Sequence, residues 1–161
     1  MSEQSIKAES LTEAEQQWLF DQRAICANLV RELLNRDAAT DPTIRDLHEA
    51  FDVWLDQFVK STGKRKLFSK KPHAIEPNSI ALSFGVVFGD HIAAAVSLDW
   101  MIVTDAYGTD MMLYAPGEDE KYTDIISAPM NMVAKRIESR TAGWLEPTYT
   151  AVVEQLQGMY R

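Results

Sequence analysis

Seventeen consecutive residues, Ile80 to Val96, are apolar or small almost throughout, with Asp90 and His91 as the main interruption. A helix that is apolar all round has no face for water, so it has to be buried. The rest of the chain must therefore supply enough structure to surround it. Asn78 or Ser79 is placed to cap its start, just after Pro77. Gly85 and Gly89 lie four apart on one face, and in this setting they predict close packing against a neighbouring helix or strand. The run falls short of the roughly 20 residues of a bilayer span, so no membrane span is expected. The 161 residues suit a single domain, 1–161, which can bury roughly 70% of its unfolded surface.

Two amphipathic helices are expected before this segment. Residues 1–10 are polar and read as frayed. Thr12 and Glu15 make a capping-box pattern, and Trp18, Ile25, Cys26, Leu29 and Leu33 form a stripe behind it. Asp41 is placed to cap a second helix with Pro42 at its first position. Ile44, Leu47, Phe51, Trp54, Leu55 and Phe58 repeat at helical spacing along it. Residues 61–78 read as a basic loop. After Val96 the period changes. Trp100–Thr104 and Met111–Tyr114 flank Asp105-Ala106-Tyr107-Gly108-Thr109-Asp110, a hairpin signal, and Tyr122–Ser127 reads as a third strand. Pro129 and Pro147 then open two more helices. The expected fold is α+β: two N-terminal helices, a buried central helix, a small three-stranded antiparallel sheet and two C-terminal helices. Trp100 and Ile102 point to one sheet face, Met101 and Val103 to the other. Both faces are apolar, so both should be covered, by helices or by a partner.

The segment from Gly85 to Glu138 resembles a bacterial family known as domain of unknown function 3806. The residues that carry the resemblance are Gly89-Asp90, Trp100, the hairpin 105–110 and the run Pro129-Met130-Asn131-Met132-Val133-Ala134-Lys135-Arg136-Ile137-Glu138. The opening Leu11-Thr12-Glu13-Ala14 with Trp18-Leu19 is similar as well. The stretches 64–71 and 139–147 depart from the family's pattern. The resemblance implies the fold and carries no activity with it. In size the chain is similar to some toxin-neutralising immunity proteins, by analogy alone.

Function has to be sought in candidate sites. Asp105, Tyr107 and Asp110 on the hairpin put two carboxylates and a phenol close together, a set able to bind a ligand or move a proton. Turn chemistry explains the same residues, because aspartate side chains satisfy loop amides. Lys135 and Arg136 on the fourth helix could hold an anionic group or pair with carboxylates of the domain. Lys64, Arg65, Lys66, Lys70 and Lys71 make a candidate anion-binding loop, with a solvated charge run as the plainer reading. Met101, Met111, Met112, Met130 and Met132 suit an adaptable interface or an irregular core. His48, His73, His91 and one cysteine have no ligand spacing, so no metal is implied, and no cofactor motif is present. Asp90 and His91 are adjacent and diverge on a helix, which is wrong for a catalytic pair.

The net charge of −8 disfavours nucleic acid and favours solubility and a basic partner. Without a leader-like start, the cytoplasm is the default location. The first expectation is a non-enzymatic protein-binding domain, immunity-like or regulatory. The alternative is a small enzyme or small-molecule binder whose site combines the 105–110 hairpin with the 135–136 helix. A homodimer through the sheet or the Met-rich face is a third arrangement. No motif names a reaction, so enzymatic activity is left open with a lean against it.

Overall fold

The computed structural model describes residues 6–37, 41–63, 75–117 and 124–159. Its elements run β1 (Lys7–Glu9), α1 (Glu13–Leu34), α2 (Ile44–Gly63), α3 (Pro77–Val96), β2 (Asp99–Asp105), β3 (Gly108–Ala115), β4 (Ile125–Ser127), α4 (Pro129–Glu138) and α5 (Leu145–Gly158). The fold is α+β, and the sheet is antiparallel in the order β1-β2-β3-β4.

The apolar segment is the centre of the molecule. Helix α3 packs against α1, α2, α4 and α5 and buries Ile80, Phe84, Val86, Phe88, Ile92 and Val96. At 20 residues it is long and apolar enough to cross a membrane by length and composition alone. The expectation that no run approaches that length is therefore corrected. In the fold its side chains are mostly covered by the other helices. Ser83, its one buried polar residue, returns its hydroxyl to the Ser79 carbonyl at 2.6 Å. Trp54 and Phe88 join Phe51 and Trp144 in an aromatic cluster, with Phe51 and Phe88 each meeting the Trp144 ring edge-on.

Both glycines of α3 make the close approach that their spacing suggests. A Cβ on Gly85 would lie 2.6 Å from the Met130 Cα, and one on Gly89 would overlap the Trp100 ring and sit 2.9 Å from Pro129 Cγ. The groove they open thus seats the first turn of α4 and the first residues of β2.

Several boundaries differ from the sequence expectation. The sheet has four strands, because Lys7–Glu9 pairs with Ile102–Thr104; that part of the segment read as frayed is ordered by the open edge of β2. The cap of α2 is Thr43, not Asp41: Thr43 Oγ1 accepts from the Asp46 amide and Asp46 Oδ2 accepts from the Thr43 amide, both at 3.0 Å. Pro42 is buried outside the helix, and its carbonyl meets His91 Nε2 at 2.8 Å. Helix α2 extends to Gly63 and α3 begins at Pro77, which shortens the interval read as a basic loop. Helix α5 starts at Leu145, ahead of Pro147. On α1 the buried stripe is Leu19, Cys26, Ala27 and Val30, while Ile25 faces solvent. The Thr12–Glu15 capping box is present.

Candidate functional site

The β2–β3 ladder fixes what the hairpin residues can do. Asp105 pairs with Gly108 across a two-residue turn. Hydrogen-bonded and non-bonded pairs alternate from there, so the amides and carbonyls of Thr109 and Met111 point away from β2. The Thr104 and Thr109 hydroxyls meet at 2.8 Å, as a close non-bonded pair allows. Asp105 Oδ1 accepts from the Tyr107 amide at 2.8 Å, an Asx-turn. Asp110 Oδ1 accepts from the Met111 amide at 2.8 Å. That amide lies on the length of β3 beyond the reach of β4, so the carboxylate covers an otherwise open strand edge. Tyr107 is 98% exposed at the tip.

Lys135 and Arg136 sit in the last turn of α4. The Arg136 guanidinium lies over the Trp144 ring, 5.7 Å from its centroid, and Lys135 is exposed. No ion pair among the described residues joins either one to Asp105, Asp110 or Glu138. Asp110 borders a cleft with Trp18, Leu82, Met111, Met130 and Asn131; the other four hairpin and α4 candidates take no part in it. The structure therefore does not gather the five into one polar site. Lys64, Arg65, Lys66, Lys70 and Lys71 lie outside the described residues.

What the sheet does assemble is a surface. Register puts Trp100, Leu113, Ala115, Ile125 and Ser127 on one face, and the four apolar members of this set join the main core. The opposite face carries Asp99, Met101, Val103 and Asp105 of β2 against Tyr114, Met112, Asp110 and Gly108 of β3, with Ala8 and Ile126 on the flanking strands. Its apolar residues lie outside the main core cluster, although Val103 at its centre is fully buried, 1% exposed. Met101, Met112, Tyr114 and Ile126 are half-buried and Asp99 is exposed. No strand residue on this face is basic.

Tyr114 ends this face in a locked pair. Its hydroxyl donates to Asp124 Oδ2 at 2.6 Å, and Asp124 Oδ1 accepts from the Gly117 amide at 2.9 Å. The Tyr114 bond, and then the Gly117 amide, hold the Asp124 carboxyl below its ordinary range. The Asp124 bond, aided by burial, pushes Tyr114 up to about 12. A depressed carboxyl contributes stability above its unfolded pKa and loses it as pH falls through the folded one. A raised phenol contributes stability below its ordinary value of 10.0 and loses it as pH rises toward 12. Tyr114→Phe is therefore expected to lower the urea midpoint at neutral pH and to weaken both limbs of the pH–stability curve relative to the parent chain. Parallel curves for the two proteins from acid to alkaline pH would show the bond to be energetically silent.

Several other polar residues tie elements of the fold together. Arg23 makes a two-pronged ion pair with Asp90, at 2.7 and 2.9 Å, and Trp100 Nε1 donates to the same carboxylate at 3.0 Å. One side chain of α3 thereby ties α1 to β2, a link between residues too far apart in sequence to be read from it. Asp90 and His91 do diverge, His91 going to Pro42. His48 Nδ1 accepts from the Glu146 amide at 3.1 Å and Asp52 Oδ1 from the Gly143 amide at 2.9 Å, so α2 holds the start of α5. Cys26 is buried, and desolvation pushes its thiol up, which makes it unreactive in the folded state. Among the described residues no group of three His, Cys, Asp or Glu could hold a metal ion.

A family model described as a domain of unknown function (DUF3806) matches residues 59–149, more than half of the chain. No curated protein and no solved structure matches it.

Proposed function

We propose, from the premise that the chain belongs to the DUF3806 family, that it is a non-enzymatic protein-binding domain whose partner presents a basic, partly apolar surface. The observation that carries this reading is the sheet face outside the main core cluster, where Val103 is buried but its apolar neighbours are only half-buried. Met101, Met112, Tyr114 and Ile126 give it apolar area, and Asp99, Asp105 and Asp110 give it a single sign of charge. An apolar patch rimmed by charge is what a protein interface needs: the patch supplies affinity, and the rim supplies orientation and encounter rate. The net charge of −8 acts in the same direction at longer range. A second copy of this chain fits the face poorly, because a two-fold contact would bring its aspartates toward like charges.

The test uses the intact protein as bait in extracts of cells that make it. The face variant is Asp99→Lys with Met112→Lys, which leaves the structural bonds of Asp105 and Asp110 in place. The control is Glu154→Lys on α5. The parent and the control should retain the same basic protein, the face variant should lose it, and moderate salt should weaken the complex. Capture that survives the face variant, a captured protein of acidic surface, or a self-association that the face variant abolishes would each overturn the reading.

A further inference from the structure

Ser127 is 95% shielded from solvent, and its Oγ has no hydrogen-bond partner among the described residues. Buried hydroxyls almost always have one, so the exception needs a cause. The residue borders a cleft of ≈ 350 Å³ between β4, α4 and α5. Its apolar wall is Ile125, Met132, Val152 and Leu156, and Gln155 adds a second uncharged polar side chain beside Ser127. The backbone adds polar groups. Leu113 pairs with Ser127 and Ala115 with Ile125, and alternation of the ladder turns the amide and carbonyl of Ile126 away from β3, on the outer edge of the sheet. An apolar hollow with a few convergent hydrogen-bonding groups is the usual form of a small-molecule site, and this volume lies at the lower end of the usual range.

We infer that this cleft binds a small neutral molecule with an apolar body and a single hydroxyl group. A hydroxyl is favoured because the polar groups around it offer both donors and acceptors: the serine hydroxyl, the glutamine amide and the Ile126 backbone. An anion is disfavoured, since among the described residues none that lines the cleft is basic, and Asp124 stands at its end. A cation is disfavoured as well, because both Asp124 oxygens are already bonded, to Tyr114 and Gly117. The site meets the sheet face of the proposed protein contact at Ile126, but neither inference depends on the other.

The probe is a series of n-alkanols with the matching n-alkanoates, titrated into the full chain and followed by amide NMR shifts. The alkanols should move the signals of Ile126, Ser127, Val152 and Gln155 in a saturable manner, and the alkanoates should bind at least about ten-fold more weakly, a difference of about 1.4 kcal/mol. Ser127→Ala should weaken the alkanols about five-fold, the value of one hydrogen bond. Val152→Trp, which fills the cleft from the helix side, should abolish binding while leaving shifts elsewhere in place. Alkanoates that bind as well as alkanols, shifts scattered away from the cleft, or a folded Ser127→Ala chain with unchanged alkanol affinity would overturn the inference. The last result would leave the orphan hydroxyl as a packing defect.

Discussion

Trp100→Ala is expected to lower the free energy of unfolding by about 3 kcal/mol, the lower end for loss of a large aromatic because the ring is only half-buried. Two contributions add. The indole fills the space that Gly89 leaves open on α3, so its removal creates a void between sheet and helix. Its N–H also bonds Asp90, and without it that carboxylate keeps only Arg23. Trp100→Phe separates the two, keeping most of the ring while losing the bond, with an expected cost of about 1–2 kcal/mol. Urea unfolding of both variants measures the difference. Equal losses for Phe and Ala would mean that the ring's packing contributes little and the Asp90 bond nearly everything.

Gly85→Ala should cost about 2 kcal/mol even though alanine is the better helix former by about 1 kcal/mol. The sign is decided by what a methyl group would meet. At Gly85 it is the Met130 backbone at 2.6 Å, and backbone cannot rotate away as a side chain can; the start of α4 would have to move. Gly89→Ala meets Cζ2 and Cη2 of Trp100 instead, atoms that phenylalanine lacks. The double variant Gly89→Ala, Trp100→Phe should therefore be more stable than the sum of its single changes predicts. A stabilising Gly85→Ala would show that α4 does not sit where the geometry places it.

The glycines were legible in the sequence because their spacing and the all-round apolarity of their helix leave few alternatives. The same holds for the Thr12–Glu15 box and for the stripe from Leu47 to Phe58, where local chemistry and burial agree. Strand β1 was not legible. Lys-Ala-Glu has no strand preference of its own, and these residues pair because β2 offers an open edge. The α1 stripe slipped because Ile25 is apolar yet exposed, at 40%, and periodicity alone cannot say which of two neighbouring apolar rows faces inward. Thr43 was overlooked as a cap because Asp41-Pro42 carries the stronger local signal.

The candidate site was read only in part. The carboxylates of Asp105 and Asp110 serve nearby amides, which is the turn chemistry weighed beside a ligand site. That Asp110 guards an open strand edge depends on how short β4 is, and that is a tertiary fact. The Ser127 cleft left no trace in the sequence: a serine after two isoleucines looks like the end of any strand. The second sheet face was visible as an excess of apolar residues. Its aspartate rim became visible only once the register set Asp99, Asp105 and Asp110 on the same side.

The one cysteine gives the fold an internal clock. Cys26 lies fully enclosed in the main core cluster, so a modifying reagent can reach it only when α1 lifts away from its neighbours. Because no other thiol competes, the labelling rate of the untouched chain reports how often that core opens. The same rate, taken with and without a bound partner or alcohol, registers tightening of the whole molecule at a point remote from either surface.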